Sequence, residues 1–164
     1  MEPKVLLLEH TRIMPMLRRM ALQIIENNLG EQQLVIAGIK DRGVDIALLL
    51  IQELKKLSKQ KFQFTQITIN KLNPLEVAID ENIDYKGQVL IVVDDVADSG
   101  KTMLYALKPF LQFNLKKLEI AVLIDRDHKL FPVTSTYVGY EISTTVKEKI
   151  RVEVEKDKII AYLC

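Results

Sequence analysis

Cysteine is almost absent from this chain of 164 residues, in which Cys164 is the sole example. A single thiol excludes an internal disulfide framework and a cysteine-based metal cluster. Long apolar runs are also missing, because none reaches the roughly 18 residues of a membrane-spanning helix, and the N-terminus lacks the pattern of a signal peptide. We therefore expect a soluble, cytoplasmic protein with no membrane partner.

An excess of charge of one sign is lacking as well. Lysine and arginine number 23, and aspartate and glutamate 22, so the formal net charge at pH 7 is +1. This balance neither supports nor excludes nucleic-acid binding, because the net charge of a whole chain does not reveal a local basic patch. The composition, 48% hydrophobic and 27% charged, is that of an ordinary globular protein, and the length suits a single domain over residues 1–164.

Apolar patterns along the chain alternate between two kinds. Runs that suit strands buried on both faces of a sheet are followed by stretches with helical spacing. This order predicts an α/β fold with a doubly wound, mainly parallel sheet flanked by helices. We expect helices over residues 13–28, 44–57 and 103–113, strands over residues 34–39, 62–69, 89–93, 118–124 and 134–139, and two closing strands within residues 146–163.

The most informative stretch is residues 89–102, where an apolar strand is followed by Asp94 and Asp95. At the carboxyl edge of a parallel sheet such a strand makes a binding site. Backbone N–H groups where the next helix starts can hold a phosphate, and the two carboxylates can accept sugar hydroxyls or bind Mg²⁺. Together they suggest a ribose 5-phosphate unit. The turn between them consists of Asp98, Ser99, Gly100, Lys101 and Thr102, and it lacks the glycine spacing of a Walker-type loop.

A second anion site is predicted where the strand over residues 34–39 ends. Lys40, Asp41, Arg42 and Gly43 form a basic, glycine-containing turn before the next helix. This turn lies on the same sheet edge as the acidic pair, and the charges of Lys40 and Arg42 suit a diphosphate. The alternative is a plain connecting loop with surface charges.

Two further stretches have two interpretations each. Residues 70–87 form a long polar connection before the acidic strand, which suits either a mobile lid over the site or a plain loop. Arg18 and Arg19 are adjacent on the polar face of the first helix. They fit either a solvated helix face or a contact with phosphate or RNA.

Residues 89–102 resemble the phosphoribosyl-pyrophosphate signature of type I phosphoribosyltransferases, with a hydrophobic strand, two acidic residues and a loop of the D-x-G-K-T kind. Residues 38–43, 123–128 and 137–139 are similar to segments of the bifunctional pyrimidine-operon regulators that are also uracil phosphoribosyltransferases. The turn over residues 98–103 and the stretch 137–142 are closer to hypoxanthine-guanine phosphoribosyltransferases. The likeness covers nearly the whole chain.

This resemblance implies the type I phosphoribosyltransferase fold with a small hood. It also implies transfer of ribose 5-phosphate from phosphoribosyl pyrophosphate to a nucleobase, in nucleotide salvage and with Mg²⁺. In such an enzyme Asp98 is a candidate proton shuttle, and Asp94 and Asp95 hold the ribose hydroxyls or the metal. The family's diphosphate loop often carries a cis peptide bond, which we expect here at Ile39–Lys40.

The resemblance also assigns binding roles to short segments. By resemblance, the loop of residues 98–102 binds the 5-phosphate. The diphosphate is bound by Lys40, Asp41, Arg42 and Gly43. Lys71 falls in the lid. The nucleobase is bound by Asp125, Arg126, Tyr137 and Val138. The base stacks on the Tyr137 ring and contacts the Val138 backbone.

Uracil is the favoured base, with other functions left open. Asp125 occupies the position where the purine enzymes carry the lysine that contacts the 6-oxo group, and a carboxylate cannot donate to that oxygen. Lys71 replaces an arginine of the regulators' lid, and lysine lacks the bidentate fork of arginine. The alternatives are a hypoxanthine/guanine phosphoribosyltransferase, a regulator of pyrimidine genes that binds nucleotide or RNA with little turnover, and a plain nucleotide-binding module. Homo-oligomers, above all dimers, are common in this family.

Overall fold

The central sheet occupies the middle of the chain. The structure is a computed structural model that describes residues 4–145, 148–156 and 158–164. After β1 (Val5–Leu8), which belongs to a second sheet, six strands of the described ranges form the central one in the order β4-β3-β2-β5-β6-β7. Neighbours are parallel except for β3 and β4, so the predicted mainly parallel α/β sheet is confirmed. These strands are β2 Gln33–Ile39, β3 Lys61–Ile69, β4 Val77–Ala78, β5 Val89–Ala97, β6 Lys117–Arg126 and β7 Tyr137–Ile142.

Helices cover both faces of this sheet. α1 (His10–Asn27) and α2 (Arg42–Leu57) pack on one face, while α3 (Lys101–Leu107) and the 3-10 helix that follows it (Lys108–Gln112) pack on the other. Alternate residues of a strand point to opposite faces, so each strand contributes to two cores. The first core takes Leu34, Ile36, Ile91, Val93, Ala121 and Leu123, and the second takes Val35, Ala37, Leu90, Val92, Ile120 and Val122.

The predicted helices are present with shifted ends. The helix expected over residues 13–28 begins at His10, and the one expected over residues 44–57 begins at Arg42. The stretch 103–113 divides into α3 and the 3-10 helix, because Pro109 near the start of the latter has no N–H to donate to the α-helical ladder. No helix in the part of the chain that the structure describes is long and apolar enough to cross a membrane.

A small antiparallel sheet, which we call the hood, combines the two ends of the chain. It consists of β1, β8 (Ile150–Glu155) and β9 (Lys158–Leu163) in the order β1-β9-β8. Its buried residues join the core that α1 and α2 form, namely Leu8, Val152, Ile159 and Ala161. Two closing strands within residues 146–163 are confirmed, although residues 146, 147 and 157 lie outside the described residues. The strand expected over residues 134–139 lies further along, at Tyr137–Ile142.

The connection over residues 70–87 is more ordered than its polar sequence suggests. β4 pairs with the end of β3, with Val77 opposite Ile69, so residues 70–76 form the loop of a hairpin. Tyr85 is fully buried, and its ring centroid lies 5.2 Å from that of Phe110 and 5.0 Å from that of Phe113. Tyr85 therefore anchors the second half of the connection in the core, and we restrict the lid hypothesis to the hairpin loop of residues 70–76.

Candidate active site

The two predicted anion sites lie side by side at the carboxyl edge of the sheet. β2 and β5 are parallel neighbours with Gly38 opposite Val93, so the turn after β2 meets the carboxylates near the end of β5. A Cβ on Gly43 would lie 2.6 Å from the carbonyl oxygen of Val93 and 3.0 Å from Oδ1 of Asp94. Glycine permits this approach, and it brings the start of α2 against the acidic pair.

A cis peptide bond is present in the turn after β2, but one residue later than expected. It joins Lys40 to Asp41, so the expectation of a cis bond at Ile39–Lys40 is wrong. The backbone N–H of Lys40 donates to the carbonyl of Ile67 at 2.9 Å. The pairing of β2 with β3 therefore continues through the Lys40 amide, and the chain leaves the sheet only after it.

A cavity of about 330 Å³, which we call the main cavity, opens at this edge of the sheet. Asp94 and Asp95 line it together with the whole loop of residues 98–102. Gly100 in this loop has a φ of +82°, a conformation that favours glycine. The carbonyl of Ser99 accepts backbone hydrogen bonds from Leu130 at 2.9 Å and Phe131 at 3.1 Å, so the segment after β6 braces the loop.

Asp94 is a buried carboxylate, with 3% of the residue exposed. Its Oδ1 accepts a hydrogen bond from the backbone N–H of Asp95 at 2.9 Å and lies 3.7 Å from Nζ of Lys71. Burial raises the pKa of Asp94 well above its usual value, and the neighbouring charge of Asp95 raises it further, while Lys71 acts in the opposite direction. Lys71, the predicted lid residue, is thus in contact with the acidic pair.

A second cavity, of about 630 Å³, adjoins the first. The two share Asp95, Lys149 and Ile150, so Asp95 borders both spaces. Arg42 of the predicted diphosphate turn lines the second cavity, and the hood adds Arg151. Sequence reasoning missed the cations of the hood, because nothing in the local sequence indicates that this small sheet faces the turn after β2.

The remaining residues of the predicted diphosphate turn are placed differently from Arg42. Gly43 is buried against Asp94, whereas Lys40 and Asp41 are exposed. In the described parts of the chain, neither Lys40 nor Asp41 lines the main or the second cavity. Arg42 itself donates from Nη1 to Oδ2 of Asp45 at 3.1 Å.

Tyr137 does not have the position expected of a base-stacking ring. The residue is 1% exposed and packs in the core with α1, where Asn27 Nδ2 donates to its hydroxyl at 3.2 Å. Burial raises the pKa of Tyr137 to about 12. Its side chain points to the α1 face of the sheet because of its register in β7, so the expectation that its ring stacks on a base is wrong for this structure.

The other three residues predicted for the base border a smaller cavity of about 230 Å³ near the ends of β6 and β7. Asp125 forms an ion pair with Lys129, and the carbonyl of Val138 accepts a hydrogen bond from Nη2 of Arg19 at 3.1 Å. Arg126 lines both this cavity and the main one. It is 4% exposed, and its Nη1 donates to Oδ1 of Asp98 at 2.8 Å.

The adjacent arginines of α1 are engaged within the protein. Arg19 also donates to the carbonyl of Gly139 at 2.6 Å, and Nη1 of Arg18 lies 3.7 Å from Oε2 of the buried Glu53. Both side chains thus contribute to the packing of α1 against β7 and α2. Both residues remain exposed, so the two sequence-based interpretations, a solvated helix face or a contact with phosphate or RNA, stay open beside these contacts.

The donor set at the acidic pair suits Mg²⁺ with substrate present. Among the described residues no three His, Cys, Asp or Glu side chains come together as a closed metal site. Mg²⁺ is usually held by one or two carboxylates together with substrate phosphates. Asp95, which borders both cavities, and the buried Asp94 beside it match that open arrangement.

Residues 7–157 match the family model of the phosphoribosyl transferase domain. The chain belongs to this family. It is 34% identical over 152 residues to the bifunctional protein PyrR of Ligilactobacillus salivarius, which covers 85% of each chain. It is 30% identical over 177 residues to the bifunctional protein PyrR of Bacillus pumilus, which covers 98% of each. The resemblance to type I phosphoribosyltransferases is confirmed, and with it the assignment of the chain as a pentosyltransferase.

Solved phosphoribosyltransferase structures have the same fold. A hypoxanthine-guanine phosphoribosyltransferase from Bacillus anthracis superposes with a TM-score of 0.75 at 25% identity, over 90% of this chain and 85% of that one. The hypoxanthine phosphoribosyltransferase of Trypanosoma cruzi gives a TM-score of 0.79 at 16% identity, over 95% and 94%. The second likeness concerns the fold alone. The type I phosphoribosyltransferase fold predicted from the sequence is confirmed.

Proposed function

We propose that the chain transfers the ribose 5-phosphate of phosphoribosyl pyrophosphate to a nucleobase, with uracil favoured, as a cytoplasmic, homodimeric enzyme of nucleotide salvage. The observation that carries the proposal is the lining of the main cavity, where Asp94, Asp95 and the 98–102 loop surround one space. The second cavity adds Arg42 and meets the first at Asp95. Groups for a phosphate, for sugar hydroxyls and for a diphosphate therefore follow one another in the order of the substrate.

The chain's task in this reaction is to hold the substrate and stabilise charge. The bond between ribose and diphosphate breaks through a state with oxocarbenium character, as in glycoside chemistry. The loop of residues 98–102 binds the 5-phosphate through its N–H groups and hydroxyls, and Asp94 and Asp95 accept the ribose hydroxyls. Arg42 stabilises the departing diphosphate, with Lys149 and Arg151 in the same cavity. Lys71 moves with the hairpin loop and closes the site to water.

The acidic pair is the proposed ligand set for Mg²⁺. When bound, the ion supplies positive charge that neutralises the diphosphate. Asp95 stands between the ribose and diphosphate regions, and Asp94 reaches the same region from the buried side. A cation there favours the ionised form of Asp94, whose pKa burial otherwise raises.

The contacts of Asp125 support uracil over a 6-oxopurine. Lys129 is the cation next to Asp125. Its Nζ donates to Asp125 and to the carbonyl oxygens of Arg126 and Ala97. An ammonium has three donors, so these contacts leave none for a 6-oxo group. The carboxylate of Asp125 accepts from a ring N–H, which uracil and the 6-oxopurines both have, so the preference for uracil rests on the missing lysine donor alone. Asp98, at the wall of the main cavity, manages the proton on the reacting nitrogen.

A regulator of pyrimidine genes with little turnover is the second candidate. It is favoured by the relatives named bifunctional protein PyrR at 30 to 34% identity. Such a regulator binds RNA with an affinity that falls steeply with salt. Because Arg18 and Arg19 contact Glu53 and β7, their replacement by alanine tests RNA binding only when the melting temperature is measured alongside.

The proposal is tested by measuring turnover and thermal stabilisation with phosphoribosyl pyrophosphate and Mg²⁺. Uracil, hypoxanthine, guanine, adenine and xanthine are supplied in separate reactions. We expect uridine monophosphate from uracil and little product from the purines. Product from hypoxanthine or guanine instead contradicts the role given to Asp125. Stabilisation by the sugar diphosphate without product from any base favours the regulator.

A further inference from the structure

The turn that follows β6 is fastened to the connection between β7 and the hood. Nε of Arg126 donates to Oγ1 of Thr144 at 2.8 Å, and Nη2 donates to the carbonyl of Thr145 at 3.1 Å. Asp127 accepts a hydrogen bond from the hydroxyl of Ser143, and the His128 ring contacts the carbonyl of Thr144. Consecutive side chains from 126 to 128 thus all contact residues 143–145.

Arg126, the last residue of β6, also contacts the candidate catalytic carboxylate. Its Nη1 donates to Oδ1 of Asp98 at 2.8 Å. The Arg126 side chain is 4% exposed, whereas that of Asp98 is 62% exposed at the wall of the main cavity. All three guanidinium nitrogens therefore have partners within the protein. A planar fork of this kind fixes the direction of the carboxylate as well as its charge.

The contacts continue from Arg126 towards the hood. The N–H and hydroxyl of Thr145 donate to Oε2 of Glu148 at 2.7 and 2.8 Å. The next residue, Lys149, exchanges backbone hydrogen bonds of 2.8 Å with Cys164 after β9. Lys149 and Ile150 then line the main and second cavities. Asp98 and the hood walls of both cavities are thus connected through Arg126.

We propose that Arg126 is a positioning residue, which holds the Asp98 carboxylate in the main cavity and ties the 98–102 loop to the hood, and that it does not contact the base. This role rests on the proposed function, in which Asp98 manages the proton at the base. It replaces the sequence-based expectation of a base contact, because the guanidinium is buried and each of its three nitrogens already donates to a protein oxygen.

A double-mutant cycle tests the coupling between the two residues. We expect Arg126→Gln to lower kcat about 100-fold, the size of effect that misplacing a reacting group by roughly 1 Å can have, with little change in KM for uracil. In the Asp98→Asn background the same substitution has little further effect, because there is no carboxylate left to position. Equal losses in both backgrounds, or a loss confined to KM for the base, overturn the proposal.

Two further variants keep the test valid where Arg126→Gln folds poorly. Arg126→Lys retains the charge without the fork, so its kcat falls between the wild type and Arg126→Gln. Thr144→Val removes the partner of Nε and leaves the pair with Asp98 in place. It lowers the melting temperature with kcat near that of the wild type. A loss of kcat in Thr144→Val as large as in Arg126→Gln reduces Arg126 to a structural role and overturns the proposal.

Hydrogen exchange separates failure of this proposal from failure of the proposed function. Absence of product from every base with the wild-type protein contradicts the transferase activity alone. In that case Arg126→Gln still accelerates amide exchange at residues 98–100 more than Thr144→Val does. Equal exchange in the two variants overturns the positioning role, whatever the outcome of the turnover measurements.

Discussion

Two buried carboxylates lie at opposite ends of the sheet and differ in how they are supported. Glu119, near the start of β6, is 5% exposed, with Nζ of Lys117 at 3.1 Å from its Oε1 and Nδ2 of Asn28 donating to its Oε2 at 3.1 Å. Asp94, near the end of β5, is 3% exposed, with Nζ of Lys71 at 3.7 Å. Lys71 belongs to a hairpin loop, while Lys117 and Asn28 belong to the strand and helix end that Glu119 itself joins.

This difference separates a structural carboxylate from a binding one. Glu119 has its partners in place in the folded chain, so its charge is compensated without a ligand. Asp94 has its pKa raised by burial and by the charge of Asp95, so its ionised form is held at a cost in stability. Such a cost is typical of functional sites, where a bound ligand or cation supplies the missing compensation.

The largest expected effect is loss of transfer when the acidic pair is made neutral. Replacing Asp94 and Asp95 by Asn removes both negative charges and one acceptor oxygen from each side chain, so kcat/KM should fall at least about 100-fold. Steady-state assays with phosphoribosyl pyrophosphate measure this, and Glu119→Gln is the matched control with unchanged turnover. Full activity in the double variant would refute the site assignment.

The next effect concerns two glycines, one at each end of the sheet. A Cβ on Gly43 would lie 2.6 Å from the carbonyl oxygen of Val93, whereas a Cβ on Gly30, in the turn before β2, would meet nothing within 4 Å. Gly43→Ala should therefore lower the free energy of unfolding by about 1–3 kcal/mol, the usual cost of overpacking, and weaken binding of the sugar diphosphate.

Gly30→Ala is the control for this pair, with stability close to that of the wild type. Urea unfolding gives the free energies, and calorimetric titration gives the affinity for phosphoribosyl pyrophosphate. Similar stabilities for the two variants would contradict the close contact between α2 and the acidic strand.

The smallest effect is a pH-dependent gain in stability. Because the folded state raises the pKa of Asp94, the stability linked to this group is present in full below its unfolded-state pKa and is lost as pH rises through the folded-state value. Asp94→Asn has no carboxyl group to ionise at this position, so it does not lose stability in this way. Without Mg²⁺ and substrate, its melting temperature should therefore rise relative to the wild type as pH increases from 4 to 8.

Glu119→Gln is the comparison variant in the same series. It removes the ionic partner of Lys117, so it should lower the free energy of unfolding by about 1 kcal/mol at pH 7. Thermal scans at each pH follow both variants. If the melting temperatures of the two variants changed with pH in the same way, the distinction between the two carboxylates would be contradicted.

The sequence predicted the parts of the fold that depend on local pattern. Apolar runs such as residues 89–93 became buried central strands, because a strand covered on both faces needs side chains of one kind. The order of strand, acidic pair and small-residue turn placed Asp94, Asp95 and residues 98–102 around one cavity, because carboxyl ends of parallel strands meet at one edge.

The failures depend on contacts between distant parts of the chain. The cis bond lies after Lys40, whose amide donates to Ile67 in β3, and not before it as expected. Tyr137 is buried because its face of β7 is covered by α1. Arg126 is 28 residues from the Asp98 that it contacts. Neither the register of a strand nor a partner across a turn can be derived from residue types alone.

The hood consists of the two ends of the chain, with Val5 of β1 opposite Leu163 of β9. Because β1 precedes the central sheet in the chain and β9 follows it, β1 can pair with β9 only after the strands and helices between them have been synthesised. The central sheet can assemble earlier, because its strands all lie within residues 33–142. The second cavity, with Lys149 and Arg151 in its wall, is therefore complete only after β9 has been synthesised and has paired.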